Sequence, residues 1–519
     1  MTSIKNLIIA FILMLCAINI NAQILSSQQI DSLTEKTLST FNVPGIAVAV
    51  IKDGKIIHAK GYGIRSIKGN QKVDENTLFG VASNTKAFTA AALGMLVDAN
   101  KLTWDTKVVK IIPDFKMYDA YVTREFTVHD LLTHRSGLGL GAGDLMIWPD
   151  SSLVTKTQLI HNLRYLKPVS SFRTKFDYDN LLYIVAGEVV TRISGISYED
   201  FIESKIIKPL GMSQTAASWY RLKNRTNIID GHAPYQGKLL PVGLSFGEIA
   251  NAAGGIYSNI TDMSKWVMAM LNGGKYGDNL DKTLFSKAVH QQLWSPQTII
   301  ESEPQKFSAY GLGWFLNDAN GYFQVSHTGG LSGIVTQVSL VPKLNLGIIV
   351  LTNQQSGAAF SAITNTIKDG YFGVKQKDRI KIYNDNRLAN EKEADSIVAK
   401  TWANIEEVKK LKSATANLKN YVGTFTDSWF GQVSISQQNE QLFFAAHNSP
   451  KLKGPITFYK NNTFIVKWMD RSLDADAFIK FELDKNGNAK GFKLEAISPL
   501  TDFSFDFQDL DFKKLSKLK

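Results

Sequence analysis

The chain has 519 residues, 44% hydrophobic and 20% charged, an ordinary globular balance with room for two or three domains. The formal charge of +11 would suit an anionic partner such as nucleic acid or cell-wall polymer. The lysines are dispersed, however, with no Arg/Lys block and no RNA-binding motif, so a nucleic-acid role is set aside. Cys16 is the single cysteine, and it falls in the N-terminal apolar run. A mature chain without it has no disulfide, no thiol catalysis and no Cys-ligated metal.

Lys5, the apolar run Leu7 to Ile18 and the small residue in Asn21-Ala22-Gln23 predict a signal peptide over residues 1–22. The run is too short for a membrane span. Leu15 before Cys16 argues against lipidation. The expected location is the periplasm or outside the cell.

Next, Ile46 to Ile51, Asp53-Gly54 and Lys55 to Lys60 read as a β-hairpin. A helix follows from Ser83 to about Asn100. Residues 102–231 are mostly helical in pattern, and another helix begins near Thr261-Asp262. Strands return at Phe323 to Ser326, Ile334 to Val341 and Gly347 to Leu351. The hairpin and these late strands are expected to share one antiparallel sheet, with the helical middle as a second lobe and a cleft between them. Residues 374–416 read as a charged helical connector. Short alternating segments then recur from Tyr421 to Phe507, the pattern of a small β-barrel or sandwich.

Ser83-Asn84-Thr85-Lys86 heads the Ala-rich helix. Residues three apart share a helix face, so the Lys86 amine can reach the Ser83 hydroxyl. Such a neighbour makes a serine nucleophilic, and free N–H groups at a helix start can hold an oxyanion. Ser516 and Lys519 repeat the spacing in the solvated tail, so the motif needs partners. Tyr178-Asp179-Asn180 precedes the apolar run Leu181 to Val190. A phenol beside ammonium groups can have its pKa lowered and carry protons, and the Asn amide can fix Lys86 or bind a carbonyl; the plain alternative is an N-capping turn. His327-Thr328-Gly329-Gly330 follows a strand, and its glycines would let a substrate lie along the edge, Gly330 N–H serving as a second oxyanion donor beside Ser83 N–H; alone, it would be a plain turn.

With these three motifs in this order, the chain resembles the serine β-lactamase and penicillin-binding superfamily, in its class C-like branch, over about residues 30–372. His129 to Leu138, Ala253 to Ser258 and Leu351-Thr352-Asn353 belong to the same resemblance. It implies an α+β hydrolase domain over 23–373, an antiparallel sheet flanked by helices plus a helical lobe. The β-rich residues 417–519 resemble the small lipocalin-like barrel that follows many such hydrolases. By resemblance, Ser83 is the nucleophile, Lys86 its activator and Tyr178 the acid/base. Asn180, His327, Thr328, Gly329 and Gly330 position or bind the substrate. Asn353 either meets a substrate carboxylate or caps a strand end, and His134 is structural, near the cleft.

His327 stands where class C β-lactamases and penicillin-binding proteins usually carry Lys. A mostly neutral imidazole is a weaker clamp for a carboxylate, and His there is familiar in the D-aminopeptidase and esterase branches. The implied function is an exported serine hydrolase acting through an acyl-enzyme on D-amino-acid peptides, short esters or β-lactams, with no metal or organic cofactor needed. Its partners would be small molecules, peptides or cell-wall fragments. The alternative is a slow penicillin-binding protein or a non-catalytic wall or peptide receptor on the same scaffold. The C-terminal domain would either cap the cleft or hold a neighbouring subunit in a homo-oligomer.

Overall fold

The computed structural model describes residues 24–243, 247–303, 306–375, 377–410 and 417–515; the expected signal peptide and the Ser516-to-Lys519 repeat lie outside them. Strands β1 (Gly45–Lys52) and β2 (Lys55–Gly63) form the expected hairpin. Asp53 and Gly54 both take positive φ, 52° and 73°, the conformation a two-residue hairpin turn requires. The other sheet strands are β3 (Thr298–Glu303), β4 (Lys306–Tyr310), β5 (Phe315–Ala319), β6 (Tyr322–Leu331), β7 (Ile334–Val341) and β8 (Leu346–Thr352). Together they make one eight-stranded sheet in the order β2-β1-β8-β7-β6-β5-β4-β3. The expected junction exists: β1 pairs antiparallel with β8, Ile46 opposite Thr352 and Val50 opposite Ile348. Strands β3 to β5 were not anticipated; β3, at the edge, is nearly all exposed and carries no apolar alternation to betray it.

Alternation along β1 divides the core. Ile46, Val48 and Val50 pack with Ile363 and Ile367 of α5 (Gly357–Tyr371) and with Ile30 of α1 (Ser27–Thr40) on one face. Ala47, Ala49 and Ile51 face the helical lobe on the other. That lobe is built on α2 (Thr85–Asp98), α3 (Leu181–Ser194) and α4 (Ile260–Leu271). Helix α2 is buried without a break from Thr85 to Gly94, as expected of a helix apolar nearly all round. Phe88 of α2 stacks on Trp266 of α4 at 4.0 Å.

Helix α6 (Arg379–Lys410) leads to the second domain and packs on α5, where Arg379 grips Asp369 through two nitrogens at 2.7 and 2.8 Å. Strands β9 (Gly423–Asp427), β10 (Gly431–Gln438), β11 (Gln441–Ala446), β12 (Lys453–Lys460), β13 (Thr463–Val466), β14 (Ala477–Leu483), β15 (Ala489–Ala496) and β16 (Phe512–Lys514) close into a barrel. Its interior is filled: Phe425, Phe444, Phe464, Phe481, Phe492 and Phe512 are buried and meet one another mostly edge to face. The last expected strand, Phe503 to Phe507, is instead irregular. Asp502 Oδ1 accepts from Ser504 N at 2.9 Å, an Asp-led turn that competes with extended backbone.

The barrel is docked on the first domain. Lys451 pairs with buried Asp150 at 2.7 Å, Asn162 donates to the Trp429 carbonyl at 2.7 Å, and Leu153 N donates to the Asn448 carbonyl at 2.8 Å. The buried Asp506 carboxylate accepts from Gly143 N and Leu145 N at 2.6 and 3.1 Å.

Candidate active site

Ser83 sits not in α2 but in a 3-10 turn, Ala82 to Asn84, immediately before it. The turn is sharp: Ala82 has φ 51°, uncommon for a residue with a Cβ and a sign of backbone held in place by its surroundings. The holders come from the sheet. Thr336 of β7 donates to the Val81 carbonyl at 2.9 Å and accepts from Asn84 Nδ2 at 2.9 Å. At Gly329 a Cβ would lie 2.5 Å from the Val81 carbonyl oxygen, so only glycine lets β6 approach this closely.

Lys86, in the first turn of α2, is fully buried. Its ammonium donates to Ser83 Oγ at 3.0 Å, to Asn180 Oδ1 at 2.8 Å and to the Ala253 carbonyl at 2.9 Å. Burial drives its pKa down to about 7, against the pull of Asp144 and Asp179. A buried amine poised near neutrality can take a proton from the serine it touches. Asn180 stands at the N-cap position of α3, yet its side chain makes no cap bond. Asp179 Oδ1 accepts from Leu182 N instead, at 3.2 Å, which leaves the Asn180 amide free for Lys86.

Tyr178 packs beside them, with the Lys86 nitrogen 4.9 Å from its ring centre. The expected lowering of its pKa is overturned. Burial pushes the phenol well above its usual range, and interaction with the Ser83 hydroxyl opposes this only in part. His134 underlies the ring at 4.2 Å and accepts from Asp179 N through Nδ1 at 3.0 Å. Burial holds its pKa well down, in keeping with the structural part expected of it.

The third motif is strand rather than turn. His327, Thr328 and Gly330 of β6 line one pocket with Ser83, Tyr178 and Asn180. Gly329 is not among the lining residues; its part is the close approach to the Ser83 turn. Burial lowers the His327 pKa to about 3, so the ring is neutral, as anticipated. Asn353 is not in the pocket. It is fully buried beside the start of β1, two strands across the sheet from Gly330, where Oδ1 accepts from Gly45 N at 2.7 Å and Nδ2 donates to the Ile64 and Arg65 carbonyls at 3.1 and 3.0 Å. These bonds make it a strand-end cap and engage both the oxygen and the nitrogen of its amide.

The pocket has a volume of about 330 Å³ and apolar walls: Ile147, Trp148, Phe176, Phe315, Leu331 and Phe503. No Lys or Arg is among its described lining residues, and Asp502 is the one carboxylate there. Asp502, Phe503 and Ser504 come from the barrel domain, so the C-terminal domain does cap the cleft. Sequence reasoning missed these three residues and Asp144. Asp144 is fully buried behind Asn180 and accepts from Asn180 Nδ2 at 2.7 Å and Ser504 Oγ at 2.9 Å. Nothing local marks it; the only sequence hint was Asp502 and Asp506 breaking an otherwise strand-like stretch. Among the described residues no His/Cys/Asp/Glu cluster is arranged to hold a metal ion.

The chain belongs to the Beta-lactamase family, whose model matches residues 30–369; a second family, described as a domain of unknown function, matches residues 408–514. An unguisins hydrolase of Aspergillus campestris, ungD', is 31% identical over 340 residues, 63% of this chain and 61% of that protein. Protein flp of Staphylococcus aureus (strain NCTC 8325 / PS 47) is 28% identical over 64% of each chain. The matches thus span a little under two thirds of these relatives. Among solved structures, the octameric penicillin-binding protein homologue from Pyrococcus abyssi aligns over 94% of this chain and all of its own, at 20% identity and a TM-score of 0.61. A class C β-lactamase aligns over 66% of this chain and 94% of its own, at 22% identity and 0.53. These likenesses establish the fold.

Proposed function

We propose that the protein is an exported serine hydrolase that cleaves amide or ester bonds through an acyl-enzyme on Ser83. The observation that carries the reading is the contact between a fully buried Lys86 ammonium and Ser83 Oγ at 3.0 Å, in a pocket large enough for an acyl group. Lys86 in its neutral form accepts the Ser83 proton as Oγ attacks the carbonyl carbon. The N–H groups of Ser83 and Gly330 hold the oxyanion, each worth about 3 kcal/mol in a preorganised hole. Tyr178, kept protonated by burial, passes its proton to the leaving group and regains one by way of Lys86. Water then releases the acid. A hydrolase named among the relatives supports the reading.

The lining selects the substrate. Largely apolar walls, a neutral His327 and the lack of Lys or Arg among the described lining residues favour an uncharged, apolar acyl group over the carboxylate-bearing β-lactams. Short aromatic or branched acyl esters and the amides of apolar D-amino acids fit this chemistry.

The test is to mix the protein with p-nitrophenyl esters of apolar acids and, separately, with a penicillin, following released product and intact protein mass. Expected are turnover of the esters, a transient acyl adduct on the Ser83 peptide, no adduct in Ser83→Ala, and little reaction with penicillin. A persistent penicillin adduct would instead support a penicillin-binding protein with slow deacylation. Undiminished ester turnover by Ser83→Ala would overturn the assignment.

A further inference from the structure

Among the buried groups to which the proposed chemistry gives no part are Asp144 and Asp506, both fully buried, and the barrel hydroxyl of Ser504. Burying a carboxyl is costly, and a neutral side chain of similar shape would fill the Asp144 site more cheaply. What the carboxylate provides is an acceptor where Asn180 needs one. The two ends of a side-chain amide are nearly equal in shape, so packing alone does not choose between its orientations. In one orientation Asn180 Oδ1 accepts from Lys86; in the other an NH₂ group faces an ammonium and Lys86 loses that partner. Asp144 Oδ2, 2.7 Å from Asn180 Nδ2, decides between them.

Asp144 is held in turn from the barrel. Ser504 Oγ donates to the same Oδ2 at 2.9 Å. Two residues on, Asp506 accepts from the backbone of Gly143 and Leu145, the neighbours of Asp144. The turn that carries Asp144 and the segment that carries Ser504 are therefore locked together. The resulting chain runs from Ser504 through Asp144 and Asn180 to Lys86 and Ser83.

We infer that Ser504 and Asp144 are positioning residues, through which the barrel domain sets the Asn180 amide and so the placement and proton affinity of Lys86. The inference rests on the hydrolase reading above. Lys86 is faced by Asp144 and Asp179, by His134 and His327, and by the Tyr178 and Tyr183 rings. Asp144 is faced by Asp179, Asp506, Lys86 and the donors of Asn180 and Ser504. Burial pushes the Asp144 carboxyl up to about 8, so where Lys86 gives up its proton Asp144 serves as a hydrogen-bond acceptor for Asn180 rather than as a charge. Without the Ser504 hydroxyl Asp144 is held less firmly, Asn180 is free to turn, and the plateau of the acylation rate falls. The Lys86 ammonium then loses an acceptor, so the amine releases its proton at lower pH and the acid limb moves to lower pH.

The experiment uses the full chain and diisopropyl fluorophosphate, a neutral probe. Ser83 Oγ bonds to phosphorus, the P–F bond breaks, fluoride leaves and the serine proton passes to Lys86. The labelling rate is measured from pH 5 to 9, with near-ultraviolet circular dichroism to check the fold. Expected are a plateau about ten-fold lower for Ser504→Ala and about a hundred-fold lower for Asp144→Asn, as loss of orientation predicts, with both acid limbs shifted to lower pH. Ser504→Thr should recover most of the loss, and the double variant should be little worse than Asp144→Asn alone, since both act through one chain. Profiles of Ser504→Ala and Asp144→Asn that superimpose on the wild type, or fully additive losses, would overturn the inference. Absence of any label on wild-type Ser83 would instead overturn the hydrolase reading, and this inference with it.

Discussion

The two domains bury opposite things. Inside the barrel, Phe425, Phe444, Phe464, Phe481, Phe492 and Phe512 fill the centre, and the one buried carboxyl at the end of β9, Asp427, is taken up by backbone N–H groups. Behind the cleft of the first domain, Lys86, Asp144, Asp179, His134 and His327 are all essentially out of water. The first arrangement gains stability from every contact. The second gives up stability to set proton affinities, a cost natural proteins accept only where chemistry needs it. The domains meet along residues 502–506, where a segment of the apolar barrel delivers a polar group to the charged cleft. Position in the fold, rather than domain membership, thus separates structural from chemical residues.

Replacing Lys86 should give the largest effect. Lys86→Ala should lower the rate of Ser83 labelling by about 10³-fold or more, the scale of losing a general base. The pH dependence sharpens the point. Folded Lys86 keeps its proton up to about pH 7, and only the neutral amine is a base, so the wild-type rate should rise from about pH 6 to 8 and then level. The variant's profile should lose that limb, and added small primary amines should restore part of the rate. An unchanged limb in Lys86→Ala would assign the titration to another group.

A substitution in the barrel tests the other half of the contrast. Phe492 is fully buried among Phe425, Phe444, Phe481 and Phe512. Phe492→Ala should cost about 3–5 kcal/mol in a denaturant titration, as large-to-small changes in cores do. The labelling rate per folded molecule and its pH profile should stay within two- to three-fold of the wild type. A shifted acid limb would mean that barrel packing, and not only the 502–506 segment, reaches Lys86.

The legible parts of the site were those that neighbours in sequence can build. Ser83 and Lys86 announced themselves because three-residue spacing fixes their contact, and Tyr178 with Asn180 because a turn before an apolar helix presents both. The β1–β2 hairpin followed from Asp53-Gly54, and β6, β7 and β8 from their apolar runs. Strands β3 to β5, the first exposed and the other two mixed in polarity, carried no such pattern. Asp144 and Ser504 were illegible for another reason: they meet across 360 residues of chain, and no periodicity encodes a contact of that range. The direction of the Tyr178 shift was misjudged because charge neighbours can be guessed from a motif, whereas desolvation depends on the finished packing. Asn353 shows the same limit, since the groups its amide meets, the Gly45 N–H and the Ile64 and Arg65 carbonyls, are set by the finished packing.

The smallest predicted effect concerns the charge missing from the cleft. His327 Nδ1 lies 2.6 Å from the Thr328 carbonyl oxygen, which can only accept, so Nδ1 carries the hydrogen. Nε2 is then the acceptor for the Tyr310 hydroxyl at 3.0 Å. Both ring nitrogens are satisfied in the neutral form, and burial opposes a second proton, so no ordinary pH makes this ring a cation. His327→Lys introduces one. Acylation by a penicillin should rise about ten-fold, the equivalent of 1.4 kcal/mol, while labelling by the uncharged fluorophosphate should change less than three-fold. The comparison of probes matters, because a new ammonium near Lys86 also lowers the proton affinity of that lysine and would raise both rates together. A selective gain identifies the missing charge as the barrier to carboxylate substrates. Equal rates with penicillin before and after the substitution would move that barrier to the apolar wall, and Phe503, supplied by the barrel, would be the residue to shorten next.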